Sequence, residues 1–134
     1  MRPTRTSCLC PPPSLDPKWW GPHTGYTLAK MGMSLVTLGL AAEFGPQGVA
    51  VNALWPRTLI ATDAMNMIPG VSAANGRRPE IVADAAHAVL VRPAAGFYGQ
   101  FLLDDEVLAQ AGITDLSGYA MDPSAPLLPD LFLD

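Results

Sequence analysis

One stretch limits the fold of this chain more than any other: GYTLAKMGMSLVTLGLAAEFGPQGVAVNALWP, from Gly25 to Pro56. Residues from about 24 to 44 read as a helix. Ala29, Met33, Val36, Leu40 and Phe44 follow one apolar stripe. Leu28, Met31, Leu35, Leu38 and Ala42 follow a second, about 100° around the axis. Tyr26, Lys30, Ser34 and Thr37 form a third, polar stripe. A helix apolar on two faces wants two neighbours. Gly45-Pro46 stops it. GVAVNAL, residues 48–54, is short and nearly all apolar, which suits a strand buried on both faces in a parallel sheet under helices. Strand after helix makes the expected class α/β.

The rest of the chain is consistent with one modest domain. Of its 134 residues, 49% are apolar and 15% charged, a core-forming balance and not a disordered one. The net charge of −4 argues against nucleic acid or an anionic membrane as partner. No apolar run reaches membrane-spanning length, and the N-terminus lacks the apolar core of a secretory signal. Cys8 and Cys10 have no His or Cys cluster near them, so they read as incidental thiols, and a cytoplasmic setting fits them.

Residues 1–22 are Pro-rich without periodicity and read as an irregular segment, with Trp19 and Trp20 anchoring it on the body. RTLIATDAMNM reads as a short helical excursion, residues 79–91 as a helix with Ile81, Ala85, Ala88 and Val89 inward, and FYGQFLLDDE as a last strand. EVLAQAG reads as a short helix ended by Gly112, and the tail as a packed extension.

Tyr26 and Lys30 are i and i+4 and share a helix face. A free tyrosine has a pKa of about 10. A nearby ammonium favours the phenolate and makes such a pair a candidate proton-transfer centre toward a carbonyl or alcohol. Spacing alone favours an amphipathic edge, with Tyr packed and Lys reaching water, because Y-x-x-x-K arises often by chance. His23, just ahead of the helix, reads as a loop or capping residue or a substrate contact. His87 reads as a surface residue. Asp104, Asp105 and Glu106 read as helix capping and dipole complementarity.

Longer strings decide between these readings. YTLAKMGMSLVTLGLAAEFGPQGVAVNALWP resembles the short-chain dehydrogenase/reductase family, in which Y-x-x-x-K opens a long helix and a strand with V-A-V-N-A-L-x-P follows. PEIVADAAHAVLV and FYGQFLLDDEVLAQAG continue the likeness, which covers about Pro11 to Asp134. PPPSLDPKWWGPHTGYTLAKMGMS, NALWPRTLIATDAM and PLLPDLFLD resemble the hydroxysteroid dehydrogenase-like branch.

The resemblance implies a partial Rossmann-type, doubly wound parallel sheet lacking its N-terminal strands and Gly-rich turn. Residues 1–22 are then an N-terminal segment, and 23–134 the C-terminal half of a dehydrogenase domain. It implies NAD or NADP as cofactor, a small carbonyl or alcohol as substrate, and hydride transfer with Tyr26 as general acid/base. Lys30 would hold the nicotinamide ribose and depress the Tyr26 pKa. Pro56, the backbone near Ile60 and the Thr62 hydroxyl would meet the carboxamide. Asn52 would be structural, and Trp55 either packing or a pocket wall.

Where the family usually has Pro-Gly, this chain has Pro56-Arg57, as the branch it resembles does. The family's catalytic Ser falls at Cys10, a weaker donor. Either Cys10 replaces the Ser, or what precedes Pro11 is foreign. With no Gly-rich phosphate turn, the chain is expected to be a truncated or mis-started half-domain. One apolar stripe of helix 24–44 would pack on the sheet and the other on the same helix of a second subunit. The isolated chain is then expected to be marginally stable, and oligomeric or aggregating. An inactive remnant that only associates with intact relatives through this helix is the alternative.

Overall fold

A computed structural model describes residues 5–9 and 15–133. Its elements run β1 (Arg5–Leu9), α1 (Pro17–Phe44), β2 (Ala50–Trp55), α2 (Glu80–Leu90), β3 (Phe101–Leu103) and α3 (Asp104–Gln110), with short 3-10 turns between them. β2 lies between β1 and β3 in a three-stranded sheet. β1 pairs with β2 in parallel, in a register that sets Ser7 opposite Asn52. The segment read as irregular therefore contains a strand, and its last residues are helical from Pro17. Its prolines hid both features, because Pro17 sits in the first helical turn, where a missing N–H costs nothing. The last strand is shorter than FYGQFLLDDE, and α3 begins at Asp104, not Glu106.

The chain forms two compact units, residues 1–55 with 89–102 and residues 56–88 with 103–134. In the first, Asp16 caps α1 by accepting from the Lys18 N–H. Pro22 interrupts the helical ladder, and His23 leaves helical geometry at φ −134° and ψ 35°. Two hydroxyls take up carbonyls near the break. Thr24 Oγ1 donates to the Trp20 carbonyl at 2.6 Å, and the buried Thr27 Oγ1 to the Trp19 carbonyl at 2.9 Å. Thr27→Val removes the second of these from a buried site. It should lower stability by about 1 kcal/mol, measured as a fall in the urea midpoint without a change in slope. An unchanged midpoint would mean that the kink holds without this bond.

The faces of α1 correct the sequence expectation. Its buried residues are Thr27, Ser34, Thr37 and Ala41. Both apolar stripes are largely exposed, with Leu28 at 62% and Leu35 and Val36 each at 59%. The side packed toward β2 is the small, hydroxyl-bearing one, not an apolar stripe. Its burial costs little because the hydroxyls return to the helix: Thr37 Oγ1 donates to the Met33 carbonyl at 3.0 Å, and Ser34 Oγ to the Lys30 carbonyl at 3.4 Å. The helix ends through Gly45 and a left-handed Gly48 at φ +84°. A Cβ on Gly45 would stand 2.5 Å from the Tyr98 ring, so only glycine admits that ring there.

Every residue of β2 is buried, as its composition led one to expect. The Asn52 amide lies inside this strand and holds the 97–100 turn from both ends. Its Nδ2 donates to the Phe97 carbonyl at 3.1 Å, and its Oδ1 accepts from the Gln100 N–H at 3.0 Å. In the second unit, Ile81 and Ala85 of α2 are fully buried, as are Val107 and Leu108 of α3. Ala88 is only half-buried. The string RTLIATDAMNM is extended before its short 3-10 turn at Asp63–Met67. The Tyr119 hydroxyl donates to Asp84 of α2 at 2.6 Å, and that bond raises the phenol's pKa.

Candidate functional site

Tyr26 and Lys30 lie one turn apart on α1, just past the break at His23. Tyr26 is 44% exposed, whereas the Trp55 side chain is buried at 4%. The Lys30 ammonium lies 5.6 Å from the centroid of the Tyr26 ring and 5.3 Å from that of Trp55. The cation is thus held between two aromatic rings, one open to solvent and one closed. Tyr26 is thus exposed, where the amphipathic-edge reading has it packed, and Lys30 is half-buried. Trp55 closes β2, so the strand and the helix together bring the three side chains into one place. His23 sits at the kink and is exposed, and His87 is exposed on α2. Cys10 lies outside the described residues.

Pro56, Ile60 and Thr62 belong to the second unit. Pro56 is buried. The segment after it is pinned from two sides. The Leu59 N–H donates to the Leu128 carbonyl at 3.0 Å, and the Arg57 carbonyl accepts from the Asp130 N–H at 3.1 Å. On the other side Ile60 bridges in parallel to Arg77, using the Leu59 carbonyl and the Ala61 N–H. A parallel bridge of this kind directs the Ile60 N–H away from Arg77. Thr62 donates its N–H to the Ile60 carbonyl at 2.8 Å and is exposed. It leads into the turn at Asp63.

Arg57, the residue in place of a glycine, has a defined role that the sequence did not disclose. Its backbone N–H donates to Asp104 Oδ1 at 2.8 Å, its Nε to Asp105 Oδ2 at 2.9 Å and its Nη2 to Glu106 Oε1 at 2.5 Å. The hydrogen bond to Asp105 is the main reason the guanidinium's pKa is raised. The acidic cluster therefore receives an arginine as well as opening α3. Asp104 is fully buried, and burial pushes its carboxyl above the usual carboxylate range. The Arg57 and Asp105 N–H groups pull it partly back. Its other oxygen, Oδ2, has no hydrogen-bond partner, nor have Thr58 Oγ1 and Arg77 Nε and Nη1. The signal that could have exposed this network is the arginine itself, a cation placed where a small residue would serve a turn. Among the described residues no group of three or more His, Cys, Asp or Glu side chains is placed to hold a metal ion. No described helix is long and apolar enough to cross a membrane.

No family model matches the chain. Among curated proteins, hydroxysteroid dehydrogenase-like protein 2 of Danio rerio is 50% identical over 127 residues, which is 94% of this chain and 30% of that protein. The Homo sapiens protein of the same name is 44% identical over 128 residues, again 94% of this chain and 30% of the relative. The chain thus spans under a third of the length of these relatives. Among solved structures, a putative dehydrogenase from Xanthomonas campestris superposes with a TM-score of 0.94 at 81% identity, over 97% of this chain and 48% of that one. A short-chain dehydrogenase from Mycobacterium thermoresistibile gives a TM-score of 0.84 at 44% identity, over 97% of this chain and 46% of that one. These likenesses run along nearly the whole chain and fall on the C-terminal part of the solved dehydrogenases. Over nearly its whole length the chain thus resembles the C-terminal part of short-chain dehydrogenases and, among curated proteins, hydroxysteroid dehydrogenase-like protein 2.

Proposed function

We propose that this chain carries the proton-transfer half of an NAD(P)-dependent oxidoreductase that interconverts a small carbonyl compound and its alcohol. The observation that carries the reading is the Lys30 ammonium set beside the ring of a solvent-open Tyr26. A bound nicotinamide would supply or accept the hydride at the carbonyl carbon. In the reducing direction Tyr26 would give its hydroxyl proton to the carbonyl oxygen. In the oxidising direction the phenolate takes that proton back from the alcohol. The Lys30 cation offsets the charge left on Tyr26 and can donate to ribose hydroxyls. Each unit separately carries donors that the nicotinamide end of such a cofactor would use. Lys30 carries three N–H bonds, the Ile60 N–H is turned away from its bridge partner, and the Thr62 hydroxyl is on an exposed residue. Ile60, Thr62 and the buried Pro56 would form the carboxamide contact, and Cys10 the position of the substrate-polarising hydroxyl. Arg57, fastened to α3, holds the start of that contact segment in place of glycine.

Titration of the purified chain with NADH and with NADPH, followed by nicotinamide fluorescence, tests the reading. Saturable binding of one of them would mean that a working nicotinamide site survives without the Gly-rich turn. Tyr26→Phe should keep that binding and abolish turnover in an intact relative carrying the same change. A folded chain that binds neither dinucleotide would leave Tyr26 and Lys30 without a cofactor to serve.

A second reading has its own support. The exposed Leu28, Leu35 and Val36 on α1 form an apolar face suited to a second copy or to an intact relative. On this reading the chain associates through residues 24–44 and does no chemistry itself. Co-elution with a full-length relative without dinucleotide binding would favour it over the first.

A further inference from the structure

Lysine ends in a compact charge on a four-carbon stem, so its position depends on what surrounds it. At Lys30 two rings surround the ammonium, and they differ in kind. Tyr26 is open to solvent and is the residue assigned to react. Trp55 is buried. Its direction is fixed by the backbone on both sides. It is the last residue of β2, following the fully buried Ala53 and the nearly fully buried Leu54. Pro56 comes next, and a proline confines the residue before it to extended geometry. Indole is also the strongest of the aromatic faces for a cation, and the interaction gains when the ring is shielded from water. We propose that Trp55 is a positioning residue for Lys30: its buried indole face, 5.3 Å from the ammonium, keeps the cation beside Tyr26 and limits its excursions. The consequence for catalysis rests on the proton-transfer reading above, but the contact itself is measured with no cofactor present. Failure of either therefore leaves the other to be judged separately.

The sequence makes the test clean. Lys18 and Lys30 are its two lysines, and Lys18 lies 5.0 Å from the Trp19 ring, away from Trp55 in sequence. In the full chain labelled with 13C-lysine, the Hε protons of a lysine stacked on indole are displaced upfield by the ring current. Lys18→Arg assigns the remaining signal to Lys30. The expected result is a Lys30 signal upfield of its position in the urea-unfolded chain. Trp55→Leu should return it most of the way, Trp55→Phe should keep part of the displacement, and the Lys18 signal should stay still in both. A folded Trp55→Leu chain with an unmoved Lys30 signal overturns the proposal. Should that variant not fold, wild type and Trp55→Phe decide. A Lys30 signal at its unfolded position in folded wild type, or one unchanged in Trp55→Phe, overturns it as well.

Discussion

Replacing Asn52 with leucine is expected to destabilise the chain by about 2–5 kcal/mol, although leucine nearly matches asparagine in size and suits the apolar strand around it. The reason is what the amide leaves behind. Asn52 is 2% exposed, and its two polar atoms serve the Phe97 carbonyl and the Gln100 N–H. Leucine would leave both backbone groups without their partner where Asn52 is shielded from water, and a buried unpaired group costs more than a hydrogen bond gains. The adjacent bonds would suffer too, because Gly99 donates to the Val51 carbonyl and Ala53 to the Gln100 carbonyl, each at 2.8 Å. Urea unfolding followed by tryptophan fluorescence gives the measure. A change below about 0.5 kcal/mol, the ordinary range of a surface substitution, would mean that water replaces the amide and that the 97–100 turn does not depend on it.

The second large effect concerns Asp104. Asp104→Ala should cost about 2–4 kcal/mol, because it strips the acceptor from the Arg57 and Asp105 N–H groups at once. Asp104→Asn is the more informative change, since it keeps an acceptor oxygen and removes the charge. The folded-state pKa of Asp104 is raised above its ordinary 3.8, mainly by burial. A raised value means that the folded state holds the proton more tightly than the unfolded one. The stability this contributes is complete below about pH 3.8 and is lost as the pH rises through the folded-state value. Arg77 attracts the carboxylate and opposes this trend, but it is the weakest of the causes. Wild type should therefore lose ground to Asp104→Asn on going from acid toward neutral pH. The reading is the difference between the two midpoints, because exposed carboxylates such as Asp115 and Asp122 have lowered pKa values and shift stability the opposite way in both proteins. A pH-independent difference would mean that Asp104 titrates alike folded and unfolded.

The strings around Tyr26 and Lys30 made the relationship legible, and the buried β2, the inward face of α2 and the end of α1 near Gly45 followed from periodicity and glycine. The sequence failed where local chemistry overrode composition. Residues Arg5–Leu9 form a strand despite their Pro-rich surroundings, because pairing with β2 supplies what local propensity lacks. The faces of α1 were read by hydrophobicity, yet close packing on β2 selects small residues whose hydroxyls can bond to their own helix. Arg57 offered no periodic signal, since its partners lie 47 to 49 residues away. For the candidate site, spacing supplied the Tyr26–Lys30 pair, but only the fold shows that Trp55 closes over the ammonium.

The exposed apolar stripes of α1 also change how this chain's conformational state can be assayed. A hydrophobic dye that brightens on contact with apolar surface is a customary sign of a loosened, molten state. Here Leu28, Leu35, Val36, Leu38 and Leu40 offer such surface on an intact helix. A well-ordered chain will therefore light the dye, and the distinction must come from near-ultraviolet circular dichroism of Trp55 and its neighbours, whose signal depends on fixed packing.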